Sequence, residues 1–450
     1  MSSLTPSQEE AKDAILHFLL DSSQQYFVLS GKAGTGKTYI INQVQHAFAE
    51  VEKLLSVTGE HKPKEWKYTA TTHKAAHALR TATNMDTCTL HSLLSLQLKS
   101  NYNTGKNLLV RSTDKPVSDL IIVVDEASYI DYDILDAFDK YTINCKIIFM
   151  GDPAQLTPIG LNHSPVFLAG FPTYSLTQVI RQSAKHPLAP ILEGFRSYVL
   201  GHSESLPRIS PCPELVRMTN DEFNKTIISE FTSGWSSSKS KVLAWRNKTV
   251  TKYNQMLFTG VNNRSNFERG DVVVNNKAIP NIATDAEVEI AGVFPAQSLL
   301  VHGHGYTVFT GSKMVGVFVP DNPADYKKHL NRAIKDGKTE DVKTIMDTWA
   351  DLRPVYASTV NKAQGSTYDK VFIDLGDFKT LKDPNQLARL LYVALSRAKY
   401  QVVFTGDLWA SVKVASYLLS STTYTITSKR SSLLCTERYR FLINALLRTH

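Results

Sequence analysis

Short unbroken apolar runs alternate along the chain with stretches whose apolar residues return at helical spacing. Tyr26-Phe27-Val28-Leu29, Lys67-Tyr68-Thr69-Ala70, Leu120-Ile121-Ile122-Val123-Val124, Cys145-Lys146-Ile147-Ile148-Phe149-Met150 and Lys241-Val242-Leu243-Ala244-Trp245 read as strands, the third and fourth of the buried parallel type. Helices are predicted over 4–20, from Tyr39, over 73–81, over 86–98 and over 248–257. The first carries its own start signal. Thr5 can cap it, Pro6 suits its first position, Gln8 follows, and Ala11, Ala14, Ile15 and Phe18 form one apolar stripe. Strands alternating with helices in this way predict parallel α/β sheets.

Two stretches depart from that texture. Residues 99–117 hold Ser100-Asn101-Tyr102 and Asn107-Leu108-Leu109-Val110 around Asn103-Thr104-Gly105-Lys106, the pattern of a hairpin with a glycine-containing turn. From Gly270 to about Val319, four short strands between turns predict a small β-barrel inserted in the second α/β domain. A charged helix pair follows at 323–350, and the α/β texture resumes from Arg353 to Asp407. A Pro- and Ser-rich stretch at 183–215 marks a domain boundary. The expected plan is a first α/β domain over 1–185 with a hairpin insertion at about 95–117. A second is built from 186–269 and 352–450, and an inserted β domain with charged helices spans 270–351. Lys429, Arg430, Arg438, Arg440 and Arg448 predict a terminal helix with a basic face.

Composition narrows the class. A chain of 450 residues with 42% hydrophobic and 20% charged residues can bury several cores. Its net charge of +8 favours a polyanionic partner. Cys88, Cys145, Cys212 and Cys435 show no metal or disulfide spacing, which fits a reducing cytoplasm. The polar N-terminus starts a capped helix with no signal-peptide pattern, and no apolar run approaches the ~20 residues that span a bilayer.

The chemistry concentrates after the first strand. Gly31-Lys32-Ala33-Gly34-Thr35-Gly36-Lys37-Thr38 has the Gly-x4-Gly-Lys-Thr spacing of a phosphate-binding loop, with a strand before it and a helix after it. Glycines let the backbone turn N–H groups toward phosphate oxygens, and the helix adds its positive end. Lys37 would reach the β- and γ-phosphates of ATP, and Thr38 would hold Mg²⁺. Asp125-Glu126 ends a buried strand. Asp125 would share the metal and Glu126 would polarise the attacking water. Gln155, in Gly151-Asp152-Pro153-Ala154-Gln155-Leu156, can bond both that water and the γ-phosphate. Arg181 and Arg397 are the candidate cations for the charge that develops on the transferred phosphoryl group.

In their order, these segments resemble the superfamily 1 helicases, most closely the 5′→3′ branch that includes RecD and the phage Dda helicase. Leu4-Thr5-Pro6-Ser7-Gln8 resembles the Q motif, Thr69 to Ala76 motif Ia, and Thr89-Leu90-His91 the Thr-x-His segment after it. Asp125-Glu126 and Gly151 to Gln155 resemble motifs II and III, Leu176 to Gln182 motif IV, Ser358 to Thr367 motif V, and Tyr392 to Ala398 motif VI. The resemblance implies two RecA-like domains closing on ATP, an SH3-like insertion at 270–319 and a hairpin pin. It further implies adenine reading by Gln8 and a contribution of Gln364 and Gly365 to the nucleotide site. Single-stranded DNA would be gripped by Thr72, His73, Lys74 and His91 on one domain and Thr359, Asn361 and Lys362 on the other. Tyr102 would stack at the fork. Thr71, Thr157 and Asn361 depart from the usual proline, proline and histidine of motifs Ia, III and V.

The expected function is ATP-driven translocation on single-stranded DNA with unwinding of forked duplex, in replication, recombination or repair. Replication or single-strand-binding proteins are further candidate partners. An RNA or nucleoprotein remodeller and a nucleotide-switched DNA-binding subunit remain alternatives at this stage.

Overall fold

The structure, a computed structural model, describes residues 4–56, 64–178, 188–232 and 234–408. The first sheet is parallel throughout. Its strands run in the order Thr173–Leu176, Tyr26–Gly31, Lys146–Gly151, Leu120–Asp125, Glu65–Ala70 and Thr87–Thr89. Side chains alternate across it, as strand geometry demands. Phe27, Leu29, Ile121, Val123, Ile148 and Met150 pack with the helices Pro6–Leu20 and Lys37–Ser56 on one face. Val28, Ile122, Val124, Ile147 and Phe149 pack with Ile134, Ala137 and Phe138 on the other.

The first helix starts as its sequence predicts. Thr5 and Gln8 form a reciprocal capping box, and Pro6 opens the helix. Its end is set from elsewhere. Lys146, buried in a neighbouring strand, donates to the carbonyls of Phe18 (3.0 Å), Asp21 and Gln24 (2.5 Å). The lysine satisfies one carbonyl in the helix's last turn and two in the segment that follows it.

The helix expected over 86–98 is mostly absent. Thr87–Thr89 instead joins the sheet edge beside Tyr68–Ala70, a single short helix covers Leu90–Leu93, and Ser95 takes a left-handed φ of 56°. β-branched Thr87 and Thr89 favour the strand, and Thr89 then caps the short helix by accepting from Ser92 N. The hairpin begins at once, with Leu96–Asn101 paired to Lys106–Arg111.

A second parallel sheet runs Leu215–Met218, Ala398–Thr405, Tyr368–Asp374, Ser240–Ala244 and Ala357–Thr359. A third is antiparallel, in the order Met314–Pro320, Val301–Phe309, Glu287–Ser298, Val272–Asn275 and Leu352–Pro354. The predicted charged helices are Ala324–Lys335 and Thr339–Thr348, packed on Trp349 and Phe318. The basic tail and Cys435 lie outside the described residues. Among the described residues, Cys88, Cys145 and Cys212 are free, and no helix is long and apolar enough to cross a membrane.

One buried carboxylate organises the second lobe. Asp377, 1% exposed, accepts from Trp245 N, Arg246 N, Arg246 Nε and Thr249 Oγ1, so it fixes the turn between the strand Ser240–Ala244 and the helix Asn247–Asn262. Replacing it leaves buried donors and Arg246 without an acceptor. Asp377→Ala is therefore expected to lower stability by about 3–5 kcal/mol, read from denaturant unfolding.

Candidate active site between the two lobes

The phosphate loop sits between the strand that ends at Gly31 and the helix that starts at Lys37. Gly34 and Gly36 have φ of 83° and 86°. Gly31 has no room for a side chain: a Cβ would lie 2.8 Å from Thr35 Oγ1 and 3.1 Å from Leu176 Cβ. Lys37 Nζ donates to the carbonyls of Gly31 (2.5 Å) and Lys32 (3.2 Å), which holds the ammonium over the loop. Gln8 is buried behind it, donating to Thr35 O (3.4 Å) while its oxygen serves the helix cap. Lys32 pairs with Glu193 of the helix Ala189–Val199 at 2.7 Å.

Asp125 and Glu126 face this loop from the next strand but one. Burial, reinforced by the charge of Glu126 and opposed by Lys37, pushes the Asp125 carboxyl up to about 6. Glu126 takes a left-handed backbone, φ 56° and ψ 43°, a conformation a glutamate adopts only when its surroundings impose it. A glycine-bounded loop with an inward lysine, a helix-start threonine and a buried carboxylate fit a nucleotide polyphosphate with a divalent cation. Thr38 and Asp125 are the residues that would hold the metal.

The second lobe reaches into this centre. Gln364 Nε2, on a side chain 4% exposed, donates to Glu126 Oε2 (3.0 Å), Ser128 Oγ (3.1 Å) and Gln155 Oε1 (3.1 Å). Tyr129 donates to the carbonyl of Asn361 (3.0 Å). Gly365, with φ of 79°, lets the backbones approach: a Cβ there would lie 3.4 Å from Ala75 Cβ. Arg397 caps the helix Pro384–Ser396 and is turned to its own lobe, donating to Val393 O, Ser366 O and Ser396 Oγ. Arg181 lies outside the described residues.

The proposed grip residues gather at the strand ends of both lobes. Thr72 and Thr359 each cap a helix, accepting from Ala75 N (3.2 Å) and Lys362 N (3.4 Å), which leaves their hydroxyl protons to donate. His73 lies beside His91, whose burial lowers its proton affinity, partly offset by Asp131. The Lys74 side chain lies outside the described groups. Two placements differ from the sequence reading. Lys362 is engaged with Asp285 (2.5 Å) and Asn276 (2.6 Å) of the inserted region. Tyr102 does not stand free: it donates to Asp347 (2.9 Å) and packs with the cluster around Trp349. The hairpin tip is docked there as well, since a Cβ on Gly105 would meet Ile334 at 2.5 Å.

Sequence reading missed several residues. Trp245 follows a strand adjacent to Thr359, with a buried indole N–H that has no partner, and the hydroxyls of Thr71 and Ser358 are likewise unsatisfied. Trp245 closes an apolar run at the end where Thr359 also lies, a positional signal that was available. Arg389, which with Tyr392 grips the Gln155 loop, looks like an ordinary position of an apolar helix.

Residues 3–196 match the family described as an AAA domain, and residues 354–405 match the UvrD-like helicase C-terminal domain. The two matches fall in order on the two lobes that share Gln364, Glu126 and Gln155. The first lobe is thus similar in sequence to an AAA domain and the second to the C-terminal domain of UvrD-like helicases. The chain's two parallel sheets, each packed with helices, make a mixed α/β fold. The chain is 29% identical over 169 residues to the ATP-dependent RecD2 DNA helicase of Deinococcus radiodurans, a match covering 37% of this chain and 21% of that one. An uncharacterized protein of Acanthamoeba polyphaga mimivirus is 21% identical over 88% of this chain and 98% of its own. Among solved structures, Pif1 helicases studied for unwinding at forked duplex DNA align over 96% of this chain and 100% of theirs, with 17% identity and a TM-score of 0.48. The Bacteroides Pif1 helicase in complex with ADP-AlF3 and single-stranded DNA aligns over 94% and 98%, with 17% identity and a TM-score of 0.45.

Lys37 makes its hydrogen bonds to backbone carbonyls, and its charge also favours the ionised Asp125 carboxyl. Lys37→Ala is expected to lower kcat for ATP by about 10²–10³-fold while the protein stays folded. Steady-state hydrolysis and thermal unfolding of the same preparation check both.

Proposed function

We propose that this chain is an ATP-dependent DNA helicase of superfamily 1 that hydrolyses ATP to move 5′→3′ along single-stranded DNA and to separate a forked duplex ahead of it. One observation supports this reading above others. A side chain of the second lobe, Gln364, bonds at once to the candidate base Glu126 and the candidate sensor Gln155 of the first. A hydrolytic centre divided in this way makes each change in the bound nucleotide a change in the fit between lobes.

In this reading Gln8 reads adenine, Lys37 and the loop N–H groups hold the phosphates, Glu126 polarises water, and Gln155 contacts that water. Gln364 and Gly365 close the site, and Arg397 with Arg181 meets the charge of the transferred phosphoryl group. Magnesium, held by Thr38 and Asp125, supplies further charge neutralisation when bound. Thr72, His73, Lys74 and His91 take the DNA backbone on one lobe and Thr359, Asn361 and Lys362 on the other, which gives a grip independent of sequence. The inserted region 270–351 serves as the SH3-like module, and a cytoplasmic setting suits the free thiols.

The hairpin is read as the wedge, with its working surface revised. Tyr102 holds the tip down, whereas Leu98, Leu108 and Leu109 are exposed at 60%, 48% and 45%. Leu98 and Leu109 face each other across the strands. Replacing both by serine is expected to slow unwinding several-fold while sparing single-strand-stimulated ATP hydrolysis; parallel loss of both activities would remove the wedge.

Polarity is tested on partial duplexes with a 5′ or a 3′ single-stranded tail, with Lys37→Ala as control. Unwinding of the 5′-tailed duplex alone is expected. Unwinding only of the 3′-tailed one would overturn the direction, and stronger ATPase stimulation by poly(U) than by poly(dT) would move the substrate to RNA.

A further inference from the structure

The loop Asp152-Pro153-Ala154-Gln155 carries the candidate sensor, yet its own lobe does little to fix it. Within the loop, Asp152 accepts from Ala154 N (3.1 Å) and Gln155 N donates to Asp152 O (3.0 Å). The rest of the hold is external. Arg389, 3% exposed in the helix Pro384–Ser396, donates through Nη1 to the carbonyls of Pro153 (2.6 Å) and Gln155 (2.7 Å). Its Nε donates to Asn385 (2.9 Å). One turn on, Tyr392 donates to Asp152 Oδ2 (2.7 Å). The helix Ala189–Val199 lies against the same helix and adds Arg196, whose Nε is 3.5 Å from Asp152 Oδ1, while its Glu193 holds Lys32.

A guanidinium buried on main-chain carbonyls depends on them for its solvation. Its burial lowers its proton affinity to about 10 despite Asp152 and Asp383 nearby. The arginine is therefore committed to one shape of the loop, and the loop to one seat of the helix. That helix is buried from Leu387 to Leu395 and ends at Arg397, two turns or about 12 Å beyond Arg389. A rigid, buried helix has no slack between its two ends.

We infer that Arg389 is a positioning residue for ATP hydrolysis: through the Pro153 and Gln155 carbonyls it ties the sensor loop of the first lobe to the helix that presents Arg397. The inference rests on the reading of Gln155 as the γ-phosphate sensor. Gln155 then carries information in two ways, by its side chain to the phosphate and by its backbone to the second lobe. Tyr392 and Asp152 set the loop's angle on that helix.

The test is a cycle of Arg389→Met, Gln155→Ala and the double variant, measured as single-strand-stimulated ATP hydrolysis on the full chain. Arg389→Met is expected to lower kcat about tenfold or more, to change the KM for ATP less than about threefold, and to add no further loss on top of Gln155→Ala. Tyr392→Phe, which removes one hydroxyl, is expected to give a smaller loss of the same kind. It serves as the second variant should Arg389→Met fold poorly. Losses that multiply in the double variant would overturn the inference, because a residue that acts only through packing is additive. So would a Tyr392→Phe and Arg389→Met pair with unchanged kcat beside an impaired Gln155→Ala. A Gln155→Ala variant with normal hydrolysis would instead overturn the sensor reading and the inference with it.

Discussion

The structure depends on one shared amide. Gln364 places a single NH₂ group among Glu126, Ser128 and Gln155, while its own side-chain carbonyl is buried without a partner. A contact of this kind is directional and short-ranged, so a small opening of the cleft removes all three bonds together. Around it, positive-φ backbone appears on both sides, at Glu126 and Gly365. The chain accepts an unfavourable conformation at Glu126 to bring the two surfaces into register.

The same economy recurs in the buried cations. Lys146 and Lys241 occupy interior strand positions and end on carbonyls, of Phe18, Asp21 and Gln24 in one lobe and of Val355 in the other. Arg389 does likewise at the lobe boundary. In each case a buried cation donates to main-chain carbonyls and so binds chain segments together.

Much of this was legible in the sequence, for identifiable reasons. The phosphate loop, Asp125-Glu126 and the first helix declare themselves because glycine, proline and capping residues act locally, within a few positions. The hairpin and the inserted strands were visible through alternation and turn chemistry. The segment 86–98 misled because a helical count of apolar residues cannot see that an open sheet edge competes for Thr87 to Thr89. The engagement of Tyr102 and Lys362 was not legible for a different reason: their partners, Asp347 and Asp285, lie far along the chain. Arg389 was silent because a hydrogen bond to a carbonyl leaves no mark on residue type at the accepting end.

The engagement of Lys362 has a consequence for how affinity responds to ionic strength. A lysine that meets a phosphate from bulk solvent releases counterions from the polyanion and steepens the salt dependence of binding. Lys362 arrives already neutralised by Asp285. Transferring it to a phosphate leaves that aspartate uncompensated, so the exchange is nearly charge-conserving locally. On the proposed DNA grip, the salt slope would undercount the backbone contacts, and Asp285 would compete with each phosphate for the same ammonium.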